Sequence, residues 1–446
     1  MQRIETVTEC FRYGSQSSYG ACYSAAQFMM GNALHNCYFE DSMGKVYSNL
    51  SFVWSSPSST FKTPLIKMIR EIWKSELKNR GIRYKSKFTT EGLMNSLNSY
   101  RVKFEGEDGE LNNETPKFKC LVIRDEASNL AKESKGNGRA ANIWEFLSET
   151  FDGQISPYDT VRGKDQQYPD VWFSFWFSST LSLFQHLSDD FWEQGYAFRC
   201  LFIKPEKKEF EPMGNGILRE EAIKNIATQM EPLYEIQEAT ATEEWWEKYN
   251  EFVKPIVERG NEEIDKLNTA ENTDIEDKAE KKYPEIVIKL SMIQCASRDG
   301  WKEHEGRKIL VMELQDIERA IVDLQTYKDN FISAYASYQF KKKTGVKMEK
   351  VDTSVRKMVL KIINEAPEDQ RYSYRVEEGE DKKLHSVAYK SEEGKYVTKT
   401  YFYRKTNWVK PTMITILETM YLSEELDMVQ VESDGTYKKT TLIGVP

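Results

Sequence analysis

A lysine and a threonine follow a loop in the first hundred residues, where an apolar run gives way to a helical pattern. Phe52 to Trp54 predict a buried strand, 55–61 a tight loop, and the apolar spacing from Leu65 to Trp73 one face of a helix. Lys62 and Thr63 therefore stand at the start of that helix. A lysine there can contact the outer phosphates of a nucleotide, a hydroxyl can ligate Mg²⁺, and the amides of the first turn favour anions. The arrangement predicts a phosphate-binding loop.

The match to the pattern G-x-x-x-x-G-K-[ST] is partial. Lys62 and Thr63 occupy the last two positions, whereas Ser56 and Phe61 stand where the two glycines belong. A glycine lets the backbone approach a phosphate without a Cβ in the way, whereas Phe61 has a Cβ at this position. An ordinary first helical turn with a solvated lysine is the alternative interpretation. The candidate nucleotide-binding residues are Ser58, Ser59, Thr60, Phe61, Lys62 and Thr63.

Two adjacent carboxylates end a second apolar run. The stretch 118–123 predicts a buried strand, and Asp125 and Glu126 follow it. In a nucleotide hydrolase, the first carboxylate of such a pair can hold Mg²⁺ through its water shell, and the second can polarise the attacking water. A strand that simply ends in solvated acids is the alternative interpretation.

Two more sets of residues lie near predicted strands. Ser178 and Ser179 close the apolar run 171–177, where their hydroxyls can contact a γ-phosphate or instead cap the helix that follows. Arg199 precedes the predicted strand 200–203. It is either a structural ion pair or an arginine finger that reaches across a subunit boundary to a transferring phosphoryl group.

Composition limits the classes of protein. The chain has 446 residues, of which 30% are charged and 39% apolar, and a net charge of −9. This predicts a globular protein of two or three domains in which any nucleic-acid site is a local basic patch. Six scattered cysteines and four histidines do not form a zinc-binding pattern and favour a reducing, cytoplasmic setting. We expect neither a signal peptide nor a membrane span.

The order of patterns predicts an α/β fold class. We expect a P-loop NTPase core with a mainly parallel sheet, then a helical subdomain with an acidic segment, then a C-terminal winged-helix-like domain. The expected boundaries are 1–45 for a helical lead-in, 46–210 for the core, 211–345 for the helical subdomain and 346–446 for the last domain.

The C-terminal part has the pattern helix, helix, hairpin. A helix over 355–363 and a second one opening at Pro411 precede an Asp-Gly turn at 434–435, and a further hairpin is expected around Glu393 and Gly394. This layout is typical of a winged helix, which binds DNA or acts as a protein–protein module. The candidate DNA-binding residues are Lys410, Thr412, Thr415, Lys438 and Lys439.

Taken together, the motifs resemble those of a known family, the P-loop ATPases associated with primases in prophages, plasmids and archaeal mobile elements. The similarity runs from about Ala25 to Tyr335. The residues that match are Asp41, Gly44, Tyr47, Asn49, 57–60, Lys62, Thr63, Thr90, Glu91, Leu93, Asp125, Glu126, 151–153, Gly195, Arg199, Leu201, Phe202, Lys289, Leu290 and the helix from Leu314 to Tyr335.

This resemblance implies a RecA/AAA-like ATPase that uses ATP and Mg²⁺ and works on DNA during replication. It also implies a homo-oligomeric ring, with a hexamer favoured, and a separate primase or other replication partner. The implied roles are phosphate binding by Lys62, Mg²⁺ binding by Thr63 and Asp125, water activation by Glu126, γ-phosphate sensing by Ser178 or Ser179, and an in-trans finger at Arg199.

Two functions follow as expectations. The first is an ATP-hydrolysing DNA replication protein of the helicase or initiator–helicase type, encoded by a virus or mobile element. The second is a degenerate P-loop protein that binds DNA or serves as a scaffold without turning over ATP, which Phe61 favours. A DNA-packaging motor shares the core but does not call for a winged-helix tail.

Overall fold

The computed structural model divides into two compact units, Met1–Tyr335 and Ala336–Pro446. The structure describes the following residues: 2–42, 44–56, 62–86, 92–93, 96–97, 118–127, 143–153, 171–180, 183, 187, 189–193, 195–204, 216–267, 275–344, 353–378, 384–390, 394–398, 401–402, 417, 427–433 and 436–444.

The strands, numbered in chain order, are β1 Tyr38–Asp41, β2 Gly44–Tyr47, β3 Ser51–Ser55, β4 Arg83–Lys85, β5 Phe118–Asp125, β6 Val171–Ser179, β7 Cys200–Ile203, β8 Ile236–Ala241, β9 Trp301–His304, β10 Arg307–Met312, β11 Tyr372–Glu378, β12 Leu384–Lys390, β13 Tyr396–Thr398, β14 Asp427–Ser433 and β15 Thr436–Gly444. The α-helices are α1 Arg3–Ser15, α2 Tyr19–Ala33, α3 Lys62–Ser75, α4 Ile143–Phe151, α5 Asp189–Glu193, α6 Gly216–Met230, α7 Glu243–Leu267, α8 Ile275–Glu280, α9 Tyr283–Ser297, α10 Leu314–Thr344 and α11 Thr353–Asn364.

A five-stranded parallel sheet is the centre of the first unit. Its order is β4-β5-β6-β3-β7, and each neighbouring pair runs parallel. The strand that precedes the predicted loop, β3, therefore lies between β6 and β7. Ser55 pairs with Ser179, and Asp125 pairs with Ser178, so β3, β5 and β6 end at the same edge of the sheet. The expected α/β class with parallel strands is confirmed.

The central strands are apolar on both faces because helices cover both. Every residue of β3 and β6 is buried, as expected for strands inside a parallel sheet. On one face, Phe52 contacts Phe28 of α2 and Tyr327 of α10, with ring centroids 5.9 and 5.8 Å apart. The helix after the loop, α3, is amphipathic and buries Leu65 and Ile69, among others. It begins at Lys62, two residues before the predicted start at Pro64.

A second sheet lies within the same unit. Its order is β2-β1-β8-β10-β9, and it mixes parallel and antiparallel pairs. Three of its strands come from the segment 211–345, which the sequence predicts to be a helical subdomain. The helices expected over 286–293 and 314–331 are present as parts of α9 and α10. The segment is thus less purely helical than expected, because it completes a sheet begun by β1 and β2.

The second unit contains α11 and a closed five-stranded barrel, β11-β12-β14-β15-β13. The hairpin predicted around 434–435 is confirmed, since β14 and β15 pair antiparallel. The hairpin expected around Gly394 is wrong. The strand after it, β13, pairs with β11 and β15, and the described hairpin joins β11 to β12. Gly394 instead lies against the backbone of Tyr372, where an added Cβ would come within 2.6 Å.

Of the second helix expected in this unit, only Leu417 is described, and it is helical and buried. Its side chain belongs to an apolar core with Val359 and Ile363 of α11 and with Val397, Phe402 and Ile443. Through the described part of the whole chain, we find no helix with the combined length and apolarity that a bilayer crossing requires.

Candidate functional site at the carboxyl edge of the sheet

The loop between β3 and α3 is described only at its two ends. Ser55 and Ser56 follow β3, and Lys62 and Thr63 form the first turn of α3. The predicted nucleotide-binding residues Ser58, Ser59, Thr60 and Phe61 lie outside the described residues. The context predicted for Lys62, a strand, a loop and then a helix, is present.

Lys62 is a buried lysine, with 8% of its surface exposed. Its ammonium donates hydrogen bonds to the main-chain carbonyl of Ser56 and, at 2.8 Å, to that of Ser179. Burial lowers the pKa of Lys62, and the negative charge of Asp125 opposes that shift. The ammonium thus lies at the carboxyl edge, between the ends of β3 and β6 and within electrostatic reach of the end of β5.

Asp125 and Glu126 stand at the end of β5, as predicted. The Asp125 carboxylate accepts a hydrogen bond from the Ser178 hydroxyl at 3.2 Å, and from the Glu126 amide at 3.2 Å. Glu126 is exposed and has φ of 58°, in the left-handed region that non-glycine residues seldom adopt. The Ala127 amide donates to the Ser178 carbonyl at 2.9 Å, which fixes the chain on both sides of this residue. Such local strain is concentrated at functional sites.

Ser178 and Ser179 belong to β6 rather than to the start of the next helix. The Ser178 hydroxyl donates a hydrogen bond to Asp125. The Ser179 carbonyl accepts hydrogen bonds from the Lys62 ammonium and, at 3.2 Å, from the Ser56 amide. Among the described residues, the buried Ser56 hydroxyl has no hydrogen-bond partner. A polar atom in this state at the mouth of a site is suited to a ligand.

The predicted Mg²⁺ ligands are Thr63 and Asp125. Thr63 is exposed in the first turn of α3, and Asp125 is partly exposed. The part of the chain that the structure describes contains no group of three or more His, Cys, Asp or Glu side chains able to hold a metal. A site with one carboxylate and one hydroxyl suits Mg²⁺, which takes most of its remaining ligands from phosphates and water.

Arg199 lies away from this edge. It directly precedes β7, whose first residue pairs with Ser51 at the start of β3, so it lies at the amino edge of the sheet. Its guanidinium binds the Asp152 carboxylate through two hydrogen bonds of 3.1 and 2.5 Å and donates to the Gly195 carbonyl at 3.0 Å. The ion-pair interpretation fits this geometry, and the in-trans finger stays a prediction that requires these bonds to break.

Other charged groups at the amino edge are also paired within the chain. The Lys282 ammonium lies 3.2 Å from the Asp152 carboxylate. The buried Lys289 of α9 contacts Glu285 at 2.9 Å and donates to Asn49 at 2.8 Å. Burial raises the pKa of Asp152, but the hydrogen bonds and charge of Arg199, with the charge of Lys282, outweigh this and hold it below its ordinary value. This edge is a network of charges that satisfy one another.

The candidate DNA-binding residues are mostly outside the described part of the chain. Lys410, Thr412 and Thr415 lie there. Lys438 and Lys439 fall in β15, where Lys439 pairs with Glu432 across the terminal hairpin.

Sequence reasoning missed Asp323, which lies in α10 facing the interior. The Asp323 carboxylate accepts hydrogen bonds from Tyr23, Gln27 and Gln294. A detectable signal existed, because Asp323 falls between Ala320 and Tyr327 on the buried face of the helix, where an apolar residue is expected.

The chain was also compared with known proteins. No family model matches it, and no curated protein is significantly similar to it.

Proposed function

We propose that this chain is a nucleoside triphosphatase whose site is the carboxyl edge of the parallel sheet, and that ATP is its substrate. One observation supports this most directly. The Lys62 ammonium at the start of α3, the Asp125 carboxylate at the end of β5 and the Ser178 hydroxyl at the end of β6 lie at one edge of the sheet. In open parallel sheets, ligands bind outside the carboxyl ends of the strands, beside the point where the strand order reverses. Here that point is β3, the first strand of the sheet in the chain, which lies beside β6 and β7, the last two.

Each residue has a role that its position allows. Lys62 would exchange its carbonyl partners for phosphate oxygens, since a buried ammonium gains more from an anion than from neutral acceptors. Thr63 and Asp125 would hold Mg²⁺, which when bound neutralises phosphate charge. Ser178 orients Asp125. Glu126, exposed beside Asp125, would take a proton from the attacking water.

We further propose that the substrate-bound protein works on DNA, as a replication protein of the helicase or initiator–helicase type. The support is the family resemblance described above and the presence of lysines, a residue type that contacts phosphates, in the sequence of the terminal hairpin. A ring of identical subunits with a separate replication partner belongs to the same proposal.

A degenerate P-loop protein that binds nucleotide or DNA without turnover is the second candidate. Phe61 in place of a glycine favours it. The strained and exposed Glu126 favours the active enzyme, because an inactive protein has no evident need to maintain a left-handed glutamate at this point.

Hydrolysis of ATP by the purified chain, measured alone and with single- or double-stranded DNA, tests both parts. We expect Mg²⁺-dependent turnover that DNA stimulates. ATP turnover that DNA does not change would support the NTPase and contradict the proposed action on DNA. Nucleotide binding without turnover in either condition would favour the second candidate.

A further inference from the structure

A cavity of about 660 Å³ lies at the end of β7, the strand that pairs with β3. Its walls come from the starts of α1 and α2, from the end of β7 and from α10. Ile203 and Lys204 line it, and Ile203 pairs with Trp54, so Lys204 lies at the level of Ser55, one strand away from the chain that leads to Lys62. Cavities of about 300–1,000 Å³ accommodate small organic ligands. The volume and the position both suit the part of a nucleotide that extends beyond its phosphates.

One wall of the cavity is aromatic. Tyr19 and Tyr23 of α2 line it, and their rings are stacked with centroids 6.1 Å apart. Tyr19 is 51% exposed, and Val322, which also lines the cavity, is 66% exposed. The exposed ring of Tyr19 at the rim of the cavity provides a flat surface on which a planar base can stack.

A partly buried carboxylate, that of Asp323, lies next to Tyr23 in the lining of the cavity. Oδ2 of Asp323 accepts hydrogen bonds from Gln27 and Gln294, both at 2.7 Å, and from the Tyr23 hydroxyl at 3.1 Å. Oδ1 accepts from the same hydroxyl at 3.2 Å. Each carboxylate oxygen can accept about two hydrogen bonds, so Oδ1 keeps capacity for a donor on a ligand. The three donors from α2 and α9 also lock the carboxylate in one orientation.

We infer that this cavity binds the base of the nucleotide, with Tyr19 stacking on an amino-bearing purine, adenine in the case of ATP, and Asp323 accepting a hydrogen bond from its exocyclic amine. The inference rests on the proposed function, because the phosphates are placed at Lys62. A carboxylate accepts but does not donate, so it favours a base edge with an amine over one with only acceptors. Asp323 would therefore recognise the base, while Lys62 would bind the phosphates.

The test measures three ligands on the full-length chain by titration calorimetry with Mg²⁺. They are the β,γ-imido analogue of ATP, the corresponding analogue of purine riboside triphosphate, which lacks the amine, and tripolyphosphate. We expect the ATP analogue to bind at least tenfold more tightly than tripolyphosphate, and about tenfold more tightly than the ligand without the amine. Equal affinity for the two nucleotides would overturn the role of Asp323.

Two variants at the exposed rim test the cavity without disturbing the core. Tyr19→Ala removes the stacking ring, and Val322→Trp fills the opening. Both variants should lower the affinity for the ATP analogue about tenfold and leave the affinity for tripolyphosphate unchanged. The control is Val257→Trp, the same change at a valine of α7 that is 54% exposed and does not line the cavity.

The outcomes separate the two proposals. If both ATP analogue and tripolyphosphate bind and neither rim variant changes their ratio, the base pocket is wrong and the phosphate site stands. If neither ligand binds to the wild-type chain, the proposed function fails and this inference fails with it.

Discussion

At the amino edge of the parallel sheet, charged side chains pair with one another, whereas at the carboxyl edge a buried ammonium donates to main-chain carbonyls. Arg199 and Lys282 share the Asp152 carboxylate, and Lys289 pairs with Glu285. Two hydrogen bonds of Lys62 go instead to the neutral carbonyls of Ser56 and Ser179. Removing Arg199 or Asp152 leaves a partly buried opposite charge with one partner fewer, which destabilises the fold. These two carbonyls carry no net charge, so exchanging them for phosphate oxygens leaves no opposite charge behind.

The two edges hold basic side chains that look alike along the sequence but have different surroundings in the fold. In the sequence, a lysine or arginine next to a strand looks the same whether it lies at the carboxyl edge or at the amino edge of the sheet. Only the fold determines whether it lies at the edge where ligands bind or at the edge where the strands begin. On this basis, we propose phosphate binding for Lys62, whereas Arg199 forms an ion pair with Asp152 of its own chain.

The largest effect is expected at the carboxyl edge. Glu126→Gln should lower the ATP hydrolysis rate by about 10²-fold or more, the usual contribution of a general base, and leave ATP affinity unchanged. Steady-state turnover and equilibrium binding measure the two quantities. Glu243→Gln, at an exposed glutamate in the first turn of α7, is the matched control and should leave both unchanged. Wild-type turnover in Glu126→Gln would remove this residue from the mechanism.

The second prediction concerns the amino edge. Arg199→Ala should lower the free energy of unfolding by about 1–3 kcal/mol, because the partly buried Asp152 loses a two-pronged partner. Asp152→Ala should cost a similar amount, and the double variant should cost less than the sum of the two. Denaturant melts of the four proteins measure the coupling.

An in-trans finger predicts a different result for the same variants. Arg199→Ala would then lose about 10³- to 10⁵-fold in turnover with unchanged stability, and Asp152→Ala would lose neither. Mixing Arg199→Ala with Lys62→Ala subunits would also restore some activity, since a wild-type finger would meet a wild-type loop at some interfaces. That outcome would contradict the view that the charges at the amino edge serve only to stabilise their own chain.

A third prediction uses Asp323, which faces Tyr23 and Gln27 of α2, Gln294 of α9, and Arg319 and Tyr327 on its own helix. Burial raises the pKa of Asp323 to about 6, against the hydrogen bonds from Gln294, Tyr23 and Gln27 and the charge of Arg319. Because the folded-state pKa exceeds the unfolded one, the stabilising contribution is complete below about pH 4 and is lost as the pH rises through 6. We expect a loss of about 1–2 kcal/mol over this range.

Asp323→Asn should remove this part of the pH dependence. Chemical denaturation from pH 4 to pH 7 compares the two proteins. An identical slope in wild type and variant would show that Asp323 does not titrate in this window.

The smallest expected effect is acid sensitivity at the amino edge. The folded-state pKa of Asp152 is lowered, so its contribution is present above the unfolded pKa, about 4, and is lost as the pH falls through the folded value. Asp152 is 35% exposed, which limits the size of the effect. Asp152→Asn should flatten the fall in stability below pH 4, and an unchanged acid limb would contradict the ion-pair network.

Sequence reasoning located the individual elements of the site better than their arrangement. Strands β3, β5 and β6 were predicted because each is a continuous apolar run with polar or turn-forming residues at both ends. The second sheet was not, since β8 is half polar and β10 is a short apolar run that periodicity cannot assign to a strand or a helix. Ser179, a partner of Lys62, and Asp152, a partner of Arg199, are distant along the chain, and only the fold brings each pair together.

The most direct measurement is the affinity of MgATP for three proteins, the wild type, Lys62→Ala and Lys67→Ala. Lys67 is an exposed lysine on the same helix, so its removal controls for the loss of one positive charge near α3. We expect wild type and Lys67→Ala to bind MgATP equally well, and Lys62→Ala to lose at least tenfold in affinity, since a charge-assisted bond to phosphate is lost. Equal binding by all three proteins, or no binding by the wild type, would contradict the assignment of the carboxyl edge as a phosphate site.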